Sequence, residues 1–236
     1  MYDDKYSDIY EKFYGTLRYQ TDVERILLIL SRHCNLNFSK IIDIGCGSGG
    51  HLNEWAKYFS KAVGYEPAPN MFQLAKKRCV NDNVEIKNSS FKNLDERTSS
   101  TTFAILNFNV IGYMLDLDEL SKNLCKIHDI LTDDGIFYFD YWPNIDCNSF
   151  QKEKFFIAEN TTYLRKQFRE KISNTAVKIE FQFFDAEHRN DQLFSSSHVI
   201  RSFQSEDLEQ IMKYAKLSII CNESVNNTHY IIAKKD

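Results

Sequence analysis

Four glycines fall within six residues, at Gly45, Gly47, Gly49 and Gly50, just after the apolar run 40–43. Glycine reaches backbone conformations closed to other residues and carries no Cβ, so such a run permits a tight turn and lets the main chain approach a ligand closely. The segment after it, 51–59, places Leu52, Trp55, Ala56 and Phe59 on one helical side. A strand, a glycine turn and a helix in that order form the first unit of a layered α/β fold, with the ligand expected at the turn.

The rest of the first 142 residues repeats that alternation. Strands are expected at 62–66, 84–87, 103–107 and 135–141, and helices at 22–33, 70–79 and 117–131, with Asp22 capping the first of these. A shorter helix is expected at 4–13. Strands joined by helices of this length pair in parallel. After Trp142 the pattern changes. The runs 155–159, 163–171, 176–184 and 195–203 have no helices between them and predict an antiparallel meander. A helix at 205–215, capped by Ser205, and a hairpin of 217–221 with 229–233 complete the chain. The expectation is one domain over 1–236, with an N-terminal lid at 1–20 and a substrate-covering insertion at about 143–203.

Composition narrows the function classes. Hydrophobic residues make up 43% of the 236, enough for an ordinary globular core. A net charge of −4 without a Lys/Arg tract is a poor match to duplex nucleic acid or to an anionic membrane. The N-terminus lacks the basic and apolar regions of a signal peptide, and no apolar run is long enough to span a bilayer. The six cysteines form no CxxC or CxxH pair, so a metal centre is not expected and a reducing, cytoplasmic setting is. A small molecule is the expected partner, with the protein a monomer or homodimer.

Two carboxylates bear on the ligand. Gly45, Gly47 and Gly50 also satisfy the GxGxxG spacing of dinucleotide sites, so the glycines alone leave the ligand open. Asp43, two positions before the first glycine, would repel a pyrophosphate but suits an ammonium. Glu66, at the end of the second strand, is placed to take both hydroxyls of a ribose. Ammonium, close backbone and ribose together describe S-adenosylmethionine (SAM). A nicotinamide dinucleotide and a turn without ligand are the alternatives.

The segments Asp43-Ile-Gly-Cys-Gly-Ser-Gly49 and Gly64-Tyr-Glu-Pro-Ala-Pro-Asn-Met71 resemble the class I SAM-dependent methyltransferases over essentially the whole chain. The resemblance implies a Rossmann-like sheet, mostly parallel with the last strand antiparallel, and an antiparallel β insertion after the fifth strand. It implies that SAM is the cofactor and S-adenosylhomocysteine the product, with no metal. It places the cofactor among Tyr19, Asp43, Gly45, Cys46, Gly47, Glu66, Pro67, Met71, Ser89, Ser90, Phe91, Leu106 and Asn107. Two departures stand out: Ser89-Ser90-Phe91 occupies the place of the family's Gly-Asp-Ala, and Thr101-Thr102 that of its Phe-Asp.

The Asp/Asn-Pro-Pro-Tyr/Phe signature of enzymes that methylate amide or nucleobase amines is missing. Segments 10–14, 109–113, 140–142 and 198–203 are instead similar to small-molecule enzymes, above all N-methyltransferases of nucleotide-linked amino sugars. A different small metabolite, or a SAM-binding module without catalysis, are the alternatives. His229, at the start of the antiparallel strand, is expected at the ligand end of the sheet as a general base, or else is a surface residue. His198 is a second candidate base and Arg201 a candidate phosphate partner, unless each is an ordinary strand residue facing solvent. Tyr14 belongs to the expected lid and can reach the nucleophile, or is hydrophobic cover. Tyr113, Tyr141 and Trp142 are candidate substrate contacts, Tyr141 and Trp142 being either an aromatic wall or core packing. His33 and His128 are read as structural.

Overall fold

The structure is a computed structural model and describes residues 13, 19–94, 100–145, 152–158, 160–187, 192–225 and 228–236. Two compact units emerge, one of Arg18–Pro143 with Phe203–Asp236 and one of Met1–Leu17 with Asn144–Ser202. The expected helix at 4–13, apart from Phe13, lies outside the described residues, as does Tyr14.

The larger unit holds helices α1 (Tyr19–His33), α2 (Gly50–Trp55), α3 (Pro69–Arg78), α4 (Leu117–Ile130) and α5 (Ser205–Tyr214). Its strands are β1 (Lys40–Ile44), β2 (Lys61–Tyr65), β3 (Val84–Lys87), β4 (Thr101–Leu106), β5 (Leu131–Tyr141), β10 (Leu217–Val225) and β11 (Thr228–Lys235). They form one sheet in the order β3-β2-β1-β4-β5-β11-β10. All neighbouring pairs from β3 to β5 are parallel, and β11 runs antiparallel to both β5 and β10. The Rossmann-like sheet with its single reversed strand is therefore present.

Central strands covered on both faces must be apolar throughout, and β1 and β4 are almost entirely buried. Alternation sends Ile42, Ile44, Phe137, Phe139 and Ile231 to the face packed by α4 and α5, with Leu120, Leu124, Leu208 and Met212 opposite them. It sends Ile41, Ile105, Tyr138 and Ile232 to the other face, under Val23, Ile26 and Leu30 of α1 and Leu52 and Trp55 of α2. Each such fully buried side chain contributes about 1.5–3 kcal/mol relative to exposure. Among the described residues no helix is long and apolar enough to cross a membrane.

Several boundaries differ from expectation: α2 ends at Trp55 and not at 59, β5 begins at Leu131 and not at 135, and β10 runs on to Val225. Tyr19, where the described residues resume, is already helical, so Asp22 lies inside α1 and not at its cap, and its carboxylate stands 3.5 Å from His51 Nε2. Ser205 is the first helical residue of α5; Gln204 holds the cap position with its side chain donating to the Pro143 carbonyl (3.0 Å) and not capping the helix, and the Ser205 hydroxyl serves Asn222 and Glu209. Thr101 and Thr102 lie inside β4, where Thr102 Oγ1 donates to the carbonyl of Asn37 (2.7 Å) and accepts from the N–H of Lys40 (3.1 Å).

The smaller unit is an antiparallel sheet, β6 (Lys152–Ala158), β7 (Thr161–Lys171), β8 (Ala176–Asp185) and β9 (Gln192–Arg201), in that order. Phe183 stacks on Phe194 (4.5 Å), and the Arg165 guanidinium lies between the rings of Phe13 (4.2 Å) and Phe181 (5.0 Å).

Candidate active site

The turn after β1 owes its shape to glycine. Gly45, Gly47 and Gly49 all have positive φ, at 76°, 57° and 78°. Gly45 lies so close to Val110 that a Cβ would meet its Cγ1 at 2.7 Å, whereas a Cβ on Gly47 would meet nothing within 4 Å. One glycine is thus required by packing and the other leaves an open cradle. Gly50 opens α2 under Tyr19, whose ring an added Cβ would overlap. The Arg78 guanidinium covers that ring at 5.3 Å and also donates to Ser48 Oγ (2.8 Å) and the Ser48 carbonyl (3.1 Å).

Glu66 follows β2 and is buried. Its Oε2 accepts the Gly47 N–H (2.9 Å) and its Oε1 accepts the Ala68 N–H (2.7 Å). Each oxygen keeps a second lone pair, so the carboxylate can still accept from a diol. Burial pushes its pKa up while the two N–H donors pull it down. Asp43, on β1, is buried as well. Desolvation first, and then repulsion from Glu66, push its carboxyl up to about 7. Two acids that repel across a glycine turn are poised for a cation.

Around this core the expected residues divide. Cys46 and Met71 are buried, Pro67 is exposed, and Asn107 is half-buried at the end of β4. Leu106 and Phe91 give their side chains to the core on the α4 face, so Leu106 can offer a ligand only its backbone, and Phe91 is not an open ring. Ser89 and Ser90 are half-buried ahead of the short 3-10 turn Phe91–Asn93. Tyr113 is exposed.

At the far strands, His229 pairs with Tyr141 in register, ring centroids 5.5 Å apart, at the carboxyl end of β5. Cross-strand partners share a face, and that face is the one packed by α4 and α5. Tyr141 is core: 1% exposed, its hydroxyl donating to Asn222 Oδ1 (3.2 Å). Trp142 is half-buried, with its carbonyl held by the Phe203 N–H.

In the smaller unit His198 and Arg201 point to opposite sides of β9, three residues apart. His198 does not face solvent. It is buried against Phe181 and Ser196, and desolvation pulls its pKa down to about 4, leaving a neutral imidazole at pH 7. Arg201 is half-buried.

Several positioning residues had no assigned role in the sequence. Asp140, buried at the end of β5, accepts the Asn109 N–H with both oxygens (3.1 and 3.0 Å) and pins a loop whose Phe108 and Asn109 have positive φ. Burial pushes its carboxyl up to about 6 against those N–H bonds. Asn88 Nδ2 donates to the carbonyls of Glu66 and Pro67 (2.8 and 3.3 Å). An Asp inside the apolar run 136–141 was the available signal, since a buried charge needs partners.

Residues 41–135 match a family model described as a methyltransferase domain. A Dictyostelium discoideum protein provisionally described as a methyltransferase is 36% identical over 94 residues, 40% of this chain and 34% of that one. The chain thus spans about a third of that relative's length. The Streptomyces venezuelae dTDP-3-amino-3,4,6-trideoxy-alpha-D-glucopyranose N,N-dimethyltransferase is 22% identical over 223 residues, 93% of this chain and 92% of the relative. Among solved structures, SAM-bound CalS10, an amino pentose methyltransferase from Micromonospora echinaspora, superposes with a TM-score of 0.80 at 16% identity, covering 100% of this chain and 98% of that one. Residues 41–135 are thus similar to a methyltransferase domain, and the sheet order with its one reversed strand is shared with the Rossmann-like methyltransferase fold.

Proposed function

We propose that this protein methylates a nitrogen or oxygen of a small molecule, and that the acceptor is a sugar, most simply an amino sugar carried on a nucleotide. The observation that carries the cofactor site is the pairing of Asp43 and Glu66 across a turn whose Gly47 faces open space. Asp43 serves as counter-ion to the amino-acid ammonium, Glu66 accepts the ribose hydroxyls, and the bare backbone of Gly45 and Gly47 lies against the ligand. A pyrophosphate would meet two acids here, which disfavours a dinucleotide. The sugar assignment is supported by relatives whose described acceptors are amino sugars.

SAM bound in this site supplies an activated methyl and leaves as a neutral thioether. The chain's own task is alignment, which can be worth roughly 7–11 kcal/mol, together with delivery of a nucleophile that carries a lone pair. As the acceptor–carbon bond forms and the sulfur–carbon bond breaks, the acceptor's proton must go to a base. His229, at the ligand end of the sheet, is assigned that role. Tyr14, Tyr113 and Trp142 are assigned to the acceptor side. The reading places the protein in the cytoplasm, consistent with Cys34, Cys46, Cys79, Cys125 and Cys221 being free thiols. It uses no nucleic acid, membrane or metal in the reaction, and the acting species is a monomer or homodimer.

The test is a methyl-transfer screen of the purified protein against nucleotide-linked amino sugars and hydroxyl sugars, read by mass spectrometry. A mass gain of one or more methyl groups on an amino sugar supports the proposal. Transfer only to unrelated metabolites overturns the sugar assignment, and tight binding of NAD with none of S-adenosylhomocysteine overturns the cofactor site.

A further inference from the structure

We propose that His33, Cys221 and Glu223 form a binding site for a divalent transition metal of zinc's chemistry, far from the glycine turn and independent of the methyl-transfer reading. His33 is the last residue of α1, and β10 is an edge strand of the large sheet. The register of β10 explains how they meet. Ile219 pairs with Ala233, yet Cys221 pairs with Ile232, so Ile220 is an extra residue in a bulge. Without it, Cys221 would face α5. With it, Cys221 and Glu223 turn to the face of Ile232 and Tyr230, where α1 packs.

The donor atoms are already gathered. His33 Nε2 is 3.5 Å from Cys221 Sγ and 4.0 Å from Glu223 Oε1, and the three donor atoms lie within 4.8 Å of one another. A tetrahedral zinc ion with bonds of about 2.3 Å to sulfur and 2.0–2.1 Å to nitrogen and oxygen has ligand–ligand edges of roughly 3.3–3.6 Å. The sulfur–nitrogen edge already has that length, and the nitrogen–oxygen edge, at 4.0 Å, needs to close in by less than an ångström. A thiolate, an imidazole and one carboxylate select zinc or cobalt over calcium and magnesium.

A supporting group is in place as well. Tyr230 donates its hydroxyl to Glu223 Oε2 (3.1 Å), which leaves Oε1 directed at the imidazole. Glu223 is exposed, so the fourth position opens to solvent. Metal binding displaces the Cys221 proton, which leaves to solvent as the sulfur–metal bond forms. The site would clasp the free end of α1 to an edge strand whose unpaired side otherwise invites strand addition. Helix α1 runs about 21 Å from Tyr19, at the glycine turn, to His33, so the role is structural and not catalytic.

The test is titration of the full chain with cobalt(II), followed by zinc(II) competition and chelator reversal. The expected result is saturable one-to-one binding with a thiolate-to-cobalt charge-transfer band and the intense visible bands of tetrahedral cobalt, displaced by zinc. Cys221→Ser should abolish the charge-transfer band. Glu223→Gln should keep it while weakening affinity by about tenfold or more, since loss of even a group that only orients a ligand costs that much. Saturating zinc should raise the melting temperature of the wild type by on the order of 5 °C and leave Cys221→Ser unmoved. Should Cys221→Ser fail to fold, loss of the band in His33→Gln, on the helix end, supports the same assignment. Absence of a saturable band, its persistence in a folded Cys221→Ser, or unchanged affinity in Glu223→Gln would overturn it.

Discussion

The main-chain N–H of Gly47 donates to Glu66 Oε2 at 2.9 Å, so the turn after β1 is fastened to the residue after β2. The same carboxylate holds Ala68 N–H with its other oxygen, at the start of α3. One side chain therefore organises two adjacent connections at the ligand end of the sheet.

Glu66→Ala removes both acceptors and any diol contact together. S-adenosylhomocysteine affinity should fall by more than about tenfold, since a hydrogen bond to a charged group contributes roughly 1.5–3 kcal/mol. Glu66→Gln, which retains one acceptor, should fall between Ala and wild type. Isothermal titration reads both; equal affinities in all three proteins would remove Glu66 from the site.

Cofactor binding should depend on pH through Asp43. A cationic ligand needs the carboxylate charged, and the empty site holds it protonated up to about pH 7. Below that pH the proton must leave on binding, so affinity for S-adenosylhomocysteine should weaken toward roughly tenfold per pH unit and level off above it. Asp43→Asn should bind more weakly with a flatter profile. Calorimetry across that range checks it.

His198 should set part of the acid limb of stability. Its folded pKa of about 4 lies below the ordinary imidazole value of 6.5, so the unfolded chain binds the extra proton between those values. Its contribution is present above about 6.5 and is lost as pH falls through about 4, a change of about 3 kcal/mol. Asp43 and Asp140 act with the opposite sign, their folded values being raised: their contribution is present below the ordinary carboxylate range and lost as pH rises through about 6 to 7. Urea unfolding of wild type and His198→Gln at several pH values isolates the histidine, and a pH-independent difference between the two would contradict it.

Gly50→Ala should be costly only because of Tyr19. Its Cβ would overlap the outer edge of that ring, so the Tyr19 side chain, covered by the Arg78 guanidinium, must give way. The substitution should destabilise by about 1–3 kcal/mol alone, the range for overpacking, and by much less in a Tyr19→Ala background. A thermal-melt double-mutant cycle measures the coupling.

His229→Ala should lower turnover by roughly 10²-fold or more while leaving S-adenosylhomocysteine affinity nearly intact. The comparison requires the acceptor identified by the mass-spectrometric screen. Full activity in the variant would remove His229 from the mechanism.

Local chemistry made much of this protein readable in advance. Short runs of four to seven residues, mostly apolar except at the edge strand β3, between helical periodicities announced β1 to β5, because central strands must be apolar and crossover helices amphipathic. The glycines announced the tight turn after β1, because only glycine tolerates positive φ and close approach there. Tertiary structure decided which way side chains faced and which polar groups met. Tyr141 became core and His198 became buried because of what packs over each strand. Asp140 reached the 108–109 loop across 31 residues, and a single-residue bulge brought Cys221 to His33 across 188. Periodicity reports a strand's two faces but not what covers each, and one inserted residue exchanges them.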